Sequence, residues 1–330
     1  MEKRIDWIDS IRGMAFIMVI FSHLDFDNNV AMRFIDPIFL TAFFFVSGYL
    51  FKTGESFLIV FEQRARTLLI PFVLLGTFNI TTAELYSSNT DHIGIAASFA
   101  ELFSQYGTPH INTMWFIPSL FVYSMFFFFL QRLRNNSLYV WLLLLIVICN
   151  WCYLYMFNGI ALPYHIQYTG FACFYMAIGK MYRENEQKLN KYLNLNICLV
   201  GVVIYVIYIC IFDFTCNFYG SPLLIDAITI SLIGLTSFLY ISKKVTNKYL
   251  MYIGANSLLY FAFHGKAMSF VSVFWNKIPK ELFCSNIVIY ESSLLIKAII
   301  VSIVIIPLCY IVNRYFPFIM GKGYKLYRFS

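Results

Sequence analysis

Residues 9–24, DSIRGMAFIMVIFSHL, form an apolar stretch with a guanidinium near its start, Arg12, and an imidazole near its end, His23. The two residues are eleven positions apart, or about three turns of an α-helix. Both side chains therefore lie on one face, about 16 Å apart along the axis. Ionisable groups inside a membrane segment are costly and usually functional. The stretch predicts a membrane helix that carries a cation near one leaflet and a titratable base most of the way across, enclosed by the rest of the chain.

The composition of the whole chain is typical of a polytopic membrane protein. Of its 330 residues, 60% are hydrophobic and 12% are charged, which is too apolar a balance for a soluble domain. We expect the first apolar run to remain in the protein, because no small-residue cleavage site follows it. No metal site is expected. Cys149 and Cys152 have CxxC spacing but lie in an apolar run with no second pair, which favours a packing function.

The hydropathy pattern predicts an all-α fold of about ten transmembrane helices. Spanning helices need about 20 mostly apolar residues, and such segments occur at 7–25, 33–51, 66–82, 114–131, 137–157, 164–181, 196–213, 222–241, 249–274 and 292–314. No linker marks a soluble domain, so residues 1–330 are expected to form a single transmembrane domain.

The placement of basic residues predicts the orientation of the helices. Most of the 24 Lys and Arg residues fall on alternate connections, whereas the connection from residue 82 to 114 has none. Positive charges favour the cytoplasmic side, so we expect both termini to face the cytoplasm. This bias accounts for most of the net charge of +7, and no nucleic-acid partner is expected.

Several short motifs follow one another in a fixed order. The opening RIDWIDSIRGMAFIMVIFSHL (4–24) is followed by FFFVSGYL (43–50), QRARTLLIP (63–71), MWFIP (114–118) and the segment from Asn256-Ser257-Leu258 to His264. This series resembles the acyltransferase-3 family of integral membrane acyltransferases, whose signature is Arg, ten residues, then His. The branch that it looks closest to is the stand-alone fucose 4-O-acetylase-like group.

The sequence departs from the family pattern in two places. The basic pair, often Arg-x-x-Arg, is Arg64-x-Arg66 here, which leaves open which arginine contacts the donor. The His-Met-Pro run found in relatives of this branch is replaced by Ile35-Asp36-Pro37, so that an acid stands near the position of a second histidine.

The resemblance implies an O-acyltransferase of the cytoplasmic membrane of a bacterial cell. It would move an acyl group, preferentially acetyl, from acyl-CoA to a hydroxyl of a cell-envelope glycan or a lipid-linked sugar. Acyl-CoA would be a donor substrate, and no bound cofactor is expected. Membrane lipid is a further partner, and a homo-oligomer is left open.

His23 is the predicted catalytic residue. Acyl transfer to a hydroxyl needs a base, and the pKa of an imidazole lies near neutrality. An acyl-histidine intermediate is the alternative route. On the donor side, guanidinium groups suit phosphates, and the candidates are Arg12, Arg64 and Arg66. The alternative for Arg64 and Arg66 is a purely topological charge, for Arg12 an anchor at the membrane interface, and for His23 a buried imidazole hydrogen-bonded to a neighbour. Ser47 and Gly48 would let a backbone approach the acyl-CoA, or would pack helices.

On the acceptor side, the acids Asp25, Asp27 and Asp36 lie near the outer mouth, and one of them could orient His23. For Asp25 and Asp27 the alternative is a solvated loop acid, which leaves Asp36 as the candidate. Trp115 could stack on a sugar ring, or belong to the interfacial aromatic belt. His264 is a candidate for the layer of side chains around the base, or a satisfied core histidine. His92, His110 and His165 receive no role.

Two other classes of function fit the same pattern. Ten helices with buried polar residues also suit a transporter or exporter of a glycan intermediate or small acylated product. Transporters often show paired half-repeats with broken helices, which this sequence does not show. A non-catalytic membrane subunit is the third reading.

Overall fold

The computed structural model describes residues 5–24, 31–86, 95–104, 114–134, 138–157, 162–211, 224–279 and 286–321. Within these ranges the chain is helical and contains no strand, which confirms the all-α prediction for this part of the protein. The acids Asp25 and Asp27 and the histidines His92 and His110 lie outside the described residues.

The helices are numbered in chain order. They are α1 (Asp6–Ser22), α2 (Met32–Tyr49), α3 (Phe57–Arg64), α4 (Ile70–Tyr86), α5 (Ile95–Ser104), α6 (Phe116–Arg132), α7 (Leu138–Met156), α8 (Thr169–Glu184), α9 (Glu186–Leu189), α10 (Leu195–Ile211), α11 (Leu224–Lys244), α12 (Lys248–Ala255), α13 (Ser257–Trp275) and α14 (Ile287–Tyr315). A π-helical turn, Ala65–Leu69, joins α3 to α4. Short 3₁₀ turns, Pro163–Tyr168 and Pro317–Met320, precede α8 and follow α14.

Each predicted segment coincides with a helix or a pair of helices. By length and composition, α2, α7, α11 and α14 could each cross a membrane, and α6 and α10 are shorter apolar helices. The count of ten spans and the orientation of the termini therefore stay predictions.

The ninth predicted segment is broken at Asn256. The side-chain amide of this residue donates to the Tyr252 carbonyl at 2.8 Å, and its oxygen accepts from Asn313 at 2.6 Å. Asn side chains offer the backbone an alternative to helical hydrogen bonds, and here the result is two helices, α12 and α13. The short helix α5 also lies within a stretch that we read as a connection.

α1 lies at the centre of the bundle, in contact with α2, α11, α12, α13 and α14. Its closest approach is to α12. A Cβ atom at Gly13 would overlap the carbonyl of Leu250, and one at Gly254 would overlap the carbonyl of Asp9. Small residues allow membrane helices to approach at backbone distance, so these two glycines fix where α1 sits.

α2 and α8 also pack closely through glycines. A Cβ atom at Gly48 would overlap the Met176 carbonyl, and one at Gly179 would overlap the Phe45 carbonyl. Ser47 is buried beside this contact and donates to the Phe43 carbonyl of its own helix at 2.8 Å. Of the two roles considered for Ser47 and Gly48, the geometry supports helix packing.

We therefore expect Gly48→Ala to destabilise the protein. Overpacking of a close contact costs about 1–3 kcal/mol, because the Met176 carbonyl is backbone and cannot move aside. Gly76→Ala is the matched control, since the added methyl there meets only the flexible side-chain end of Leu102. Thermal unfolding in detergent should show a lower midpoint for Gly48→Ala than for Gly76→Ala. Equal midpoints would contradict the packing role.

A polar cluster fixes the start of α1. The Lys243 ammonium lies 4.9 Å from the Trp7 ring centroid and donates to Glu186 at 2.7 Å, while the Tyr49 hydroxyl donates to the same carboxylate at 2.5 Å. Burial opposes the charge of Glu186, but these hydrogen bonds outweigh it and hold the pKa of the carboxyl below its usual value. The end of the bundle that carries Arg12 is thus tied together across α1, α2, α9 and α11.

Candidate active site

α1 runs unbroken from Asp6 to Ser22, and His23 caps its C-terminus. Arg12 and His23 are separated by about three turns of this one helix and project from the same face. Arg12 is partly buried and His23 is exposed. We refer below to the Arg12 end and the His23 end of the bundle.

The imidazole of His23 is oriented by its own helix. Its Nδ1 lies 2.7 Å from the carbonyl oxygen of Val19 and 3.2 Å from the hydroxyl of Ser22. A carbonyl oxygen can only accept a hydrogen bond, so we assign the ring proton to Nδ1. Nε2 then keeps its lone pair, which is the state that a general base needs.

This arrangement replaces the orienting role that we considered for Asp36. No hydrogen bond or ion pair joins Asp36 to His23 within the described residues, and Nδ1 of His23 is already taken by Val19. The carbonyls of the last helical turn lack partners within the helix, and a histidine at the cap reaches them directly. Asp36 itself is partly buried on α2, directly before Pro37.

A second imidazole, His264 of α13, lies beside the first. The two ring centroids are 5.2 Å apart, with the ring planes at 81°. Nδ1 of His264 lies 3.1 Å from the Tyr260 carbonyl and 3.0 Å from the Phe261 carbonyl, so here too the proton belongs on Nδ1. Only 1% of His264 is exposed, and Nε2 has no hydrogen-bond partner in the part of the chain that the structure describes. A buried polar atom without a partner is rare and needs an explanation.

Aromatic rings pack around His264. Phe16 lies 5.7 Å from His264 and 4.8 Å from Phe261, and Phe261 stacks on Phe116 at 5.0 Å. Phe43, from the Phe-rich motif of α2, contacts both Phe116 and Phe261. These rings supply an apolar wall, which strengthens electrostatic interactions by excluding water.

Trp115 lies just outside that wall, at the start of α6. Its ring is 5.9 Å from Phe116 and 4.4 Å from His165. Sequence reasoning gave His165 no role, and its adjacency to Trp115 carried no local signal. Tyr164 and His165 both adopt left-handed backbone angles, with φ of 54° and 49°, and the Tyr123 hydroxyl holds the His165 carbonyl at 2.7 Å.

The Arg12 end holds a second cluster. Arg64 lies close enough to Arg12 for their charges to repel, and its guanidinium sits 5.7 Å from the Phe51 ring centroid. Arg64 also lines a cavity of about 200 Å³, whose wall residues are Leu50, Phe51, Lys52, Glu55, Val60, Gln63, Arg64 and Thr67. Arg66 is absent from this wall and packs near the turn after α14, where a Cβ at Gly321 would overlap its carbonyl. The structure therefore brings Arg64, and not Arg66, to the cavity.

The comparisons with known proteins agree with these features. The family model described as an acyltransferase domain matches residues 5–314, from the start of α1 to the last turn of α14. Neither the curated proteins nor the solved structures gave a match. The match covers nearly the whole chain, including both the histidine pair and the Arg12 end. The chain therefore belongs to the acyltransferase-3 family, and with its apolar helices it is a multi-pass membrane acyltransferase.

Proposed function

We propose that this protein transfers an acyl group, preferentially acetyl, from acyl-CoA to a hydroxyl of a cell-envelope glycan or a lipid-linked sugar. The proposal places it in the cytoplasmic membrane with the Arg12 end facing the cytosol. The observation that carries it is the pair of His23 and His264, each with Nδ1 held by backbone carbonyls and Nε2 left basic. His23 lies at the other end of the α1 face that carries Arg12, and His264 lies beside it.

In this proposal His23 is the base. Its Nε2 takes the proton of the acceptor hydroxyl as that oxygen attacks the thioester carbonyl. The new C–O bond forms, the C–S bond breaks, and the departing thiolate takes up the proton from the imidazolium. The Val19 carbonyl keeps the imidazole in the required tautomer throughout.

His264 acts through His23 in this proposal. The Nε2–H of the His23 imidazolium stays with the reacting oxygen and sulfur, so His264 acts on its charge. The neutral His264 ring, centred 5.2 Å away with a lone pair on its unpartnered Nε2, would stabilise the positive charge of the protonated base. The apolar wall around His264 makes such a contact stronger than it would be in water.

The donor side rests on the two arginines. Like charges that lie close together are unfavourable in a low dielectric, so Arg12 and Arg64 favour an anion between or beside them. Guanidinium groups bind phosphate oxygens in a bidentate fashion, and CoA supplies such phosphates. We assign this contact to Arg64 in preference to Arg66, because only Arg64 lines the cavity.

Purified protein supplied with acetyl-labelled acetyl-CoA and envelope glycan tests the proposal. We expect the label to become covalently attached to the glycan. Movement of glycan or product across the bilayer without labelling would favour a transporter instead. Mass spectrometry of envelope polysaccharide from cells with and without the gene would then identify the sugar and the hydroxyl.

A further inference from the structure

The cavity at the Arg12 end contains an acid as well as bases. Glu55 lines it together with Arg64 and Lys52. A site built to bind phosphate alone gains nothing from a carboxylate, because the two anions repel each other. The presence of Glu55 in this wall therefore requires a separate explanation.

One oxygen of the Glu55 carboxylate lacks a hydrogen-bond donor. Its Oε2 is buried and has no hydrogen-bond partner among the residues described, although the charge of Arg64 is near enough to be felt. A buried carboxylate oxygen without a donor is expensive. The cost disappears when a ligand brings an N–H group to this atom.

The backbone holds Glu55 in place. Gly54, directly before it, has φ of +93°, which favours glycine. The guanidinium of Arg132, at the end of α6, donates to the Glu55 carbonyl at 3.1 Å. The position of the acid is thus set by a turn and by a contact from another helix, so it is a built part of the cavity wall.

We infer that Glu55 recognises the acyl donor by accepting a hydrogen bond from one of its N–H groups, while Arg64 and Lys52 bind its phosphates. This inference rests on the proposed function. In acyl-CoA the N–H groups are the adenine amino group and the two amides of the pantetheine arm. Glu55 thereby selects a nucleotide-linked or pantetheine-linked donor over a simple acyl phosphate, which carries no N–H.

Ligand binding to the full-length protein in detergent tests this assignment. Calorimetry with CoA, 4′-phosphopantetheine, adenosine 3′,5′-bisphosphate and pyrophosphate compares the wild type with Glu55→Ala and Glu55→Gln. Loss of a hydrogen bond to a charged group should weaken CoA binding by about tenfold or more in Glu55→Ala. Glu55→Gln keeps an acceptor oxygen and should lose less of its affinity for CoA. Glu62→Ala, on the exposed face of α3, is the matched control and should bind as the wild type does.

Comparison of these fragments of CoA identifies the N–H group that donates to Glu55. If Glu55→Ala weakens the binding of adenosine 3′,5′-bisphosphate and CoA only, Glu55 accepts from the adenine amino group. If it weakens the binding of 4′-phosphopantetheine and CoA only, Glu55 accepts from an amide of the pantetheine arm. Pyrophosphate should bind Glu55→Ala equally well or more tightly. The inference alone would be overturned if Glu55→Ala bound CoA as tightly as the wild type or more tightly. It would also be overturned if the variant lost as much affinity for pyrophosphate as for CoA. A wild type that binds no CoA would overturn the proposed donor together with it.

Discussion

Replacing His23 by alanine is expected to lower acyl transfer by about 10²–10⁴-fold, the usual contribution of a general base. The side chain is exposed at the end of α1, so its removal leaves no cavity and the protein should insert and unfold as the wild type does. Initial rates with saturating donor, measured on protein of confirmed thermal stability, report the loss. In the wild type, activity should fall on the acid side of neutrality, because protonation removes the Nε2 lone pair.

Two further variants separate the base from its surroundings. His23→Gln retains hydrogen-bonding atoms but cannot take the proton, and it should be as inactive as His23→Ala. His264→Gln should retain more activity and shift the pH profile, since His264 acts on the protonated form of His23. If His23→Ala transferred acyl groups at the wild-type rate, His23 would not be the base.

Replacing Arg64 by methionine is expected to raise the KM for acyl-CoA by about 10- to 100-fold, as a charge-assisted hydrogen bond contributes about 1.5–3 kcal/mol. Arg64→Lys should recover only part of the loss, because an ammonium cannot form the bidentate contact. The measurement is the KM for donor, with CoA binding as an independent check.

Arg66→Met is the matched control for Arg64, since it lies two residues away and carries the same charge. It packs against the turn after α14 and does not line the cavity, so its effect on KM should be small. A larger increase in KM for Arg66→Met than for Arg64→Met would move the donor contact to Arg66.

The sequence predicted the features that depend on local composition. Hydropathy located the helical segments, because an apolar run of sufficient length has few alternatives to a helix in a membrane. The spacing of Arg12 and His23 predicted a shared face because a helix has a fixed period. Their membership in one active site stays a prediction until activity is measured.

Long-range contacts could not be predicted in the same way. His23 and His264 lie on the first and thirteenth helices, and only the packing of α13 against α1 brings their rings together. Arg64 and Arg66 are two residues apart, so a helix directs them to opposite faces, but which of the two faces meets the cavity is decided by the packing of other helices. The Val19 carbonyl could not be predicted as the partner of His23, because every residue type supplies a backbone carbonyl and the sequence therefore carries no signal for it.

In the proposed reaction, donor and acceptor reach one site from opposite ends of α1. The decisive experiment uses proteoliposomes with the protein in a single orientation, labelled acetyl-CoA on one side only, and a membrane-impermeant glycan acceptor on the other. A single cysteine at each end, labelled by an impermeant reagent, would identify the sides. We expect transfer only when the donor is on the side of the Arg12 end and the acceptor is on the side of the His23 end. Transfer that requires both substrates on the same side would contradict it.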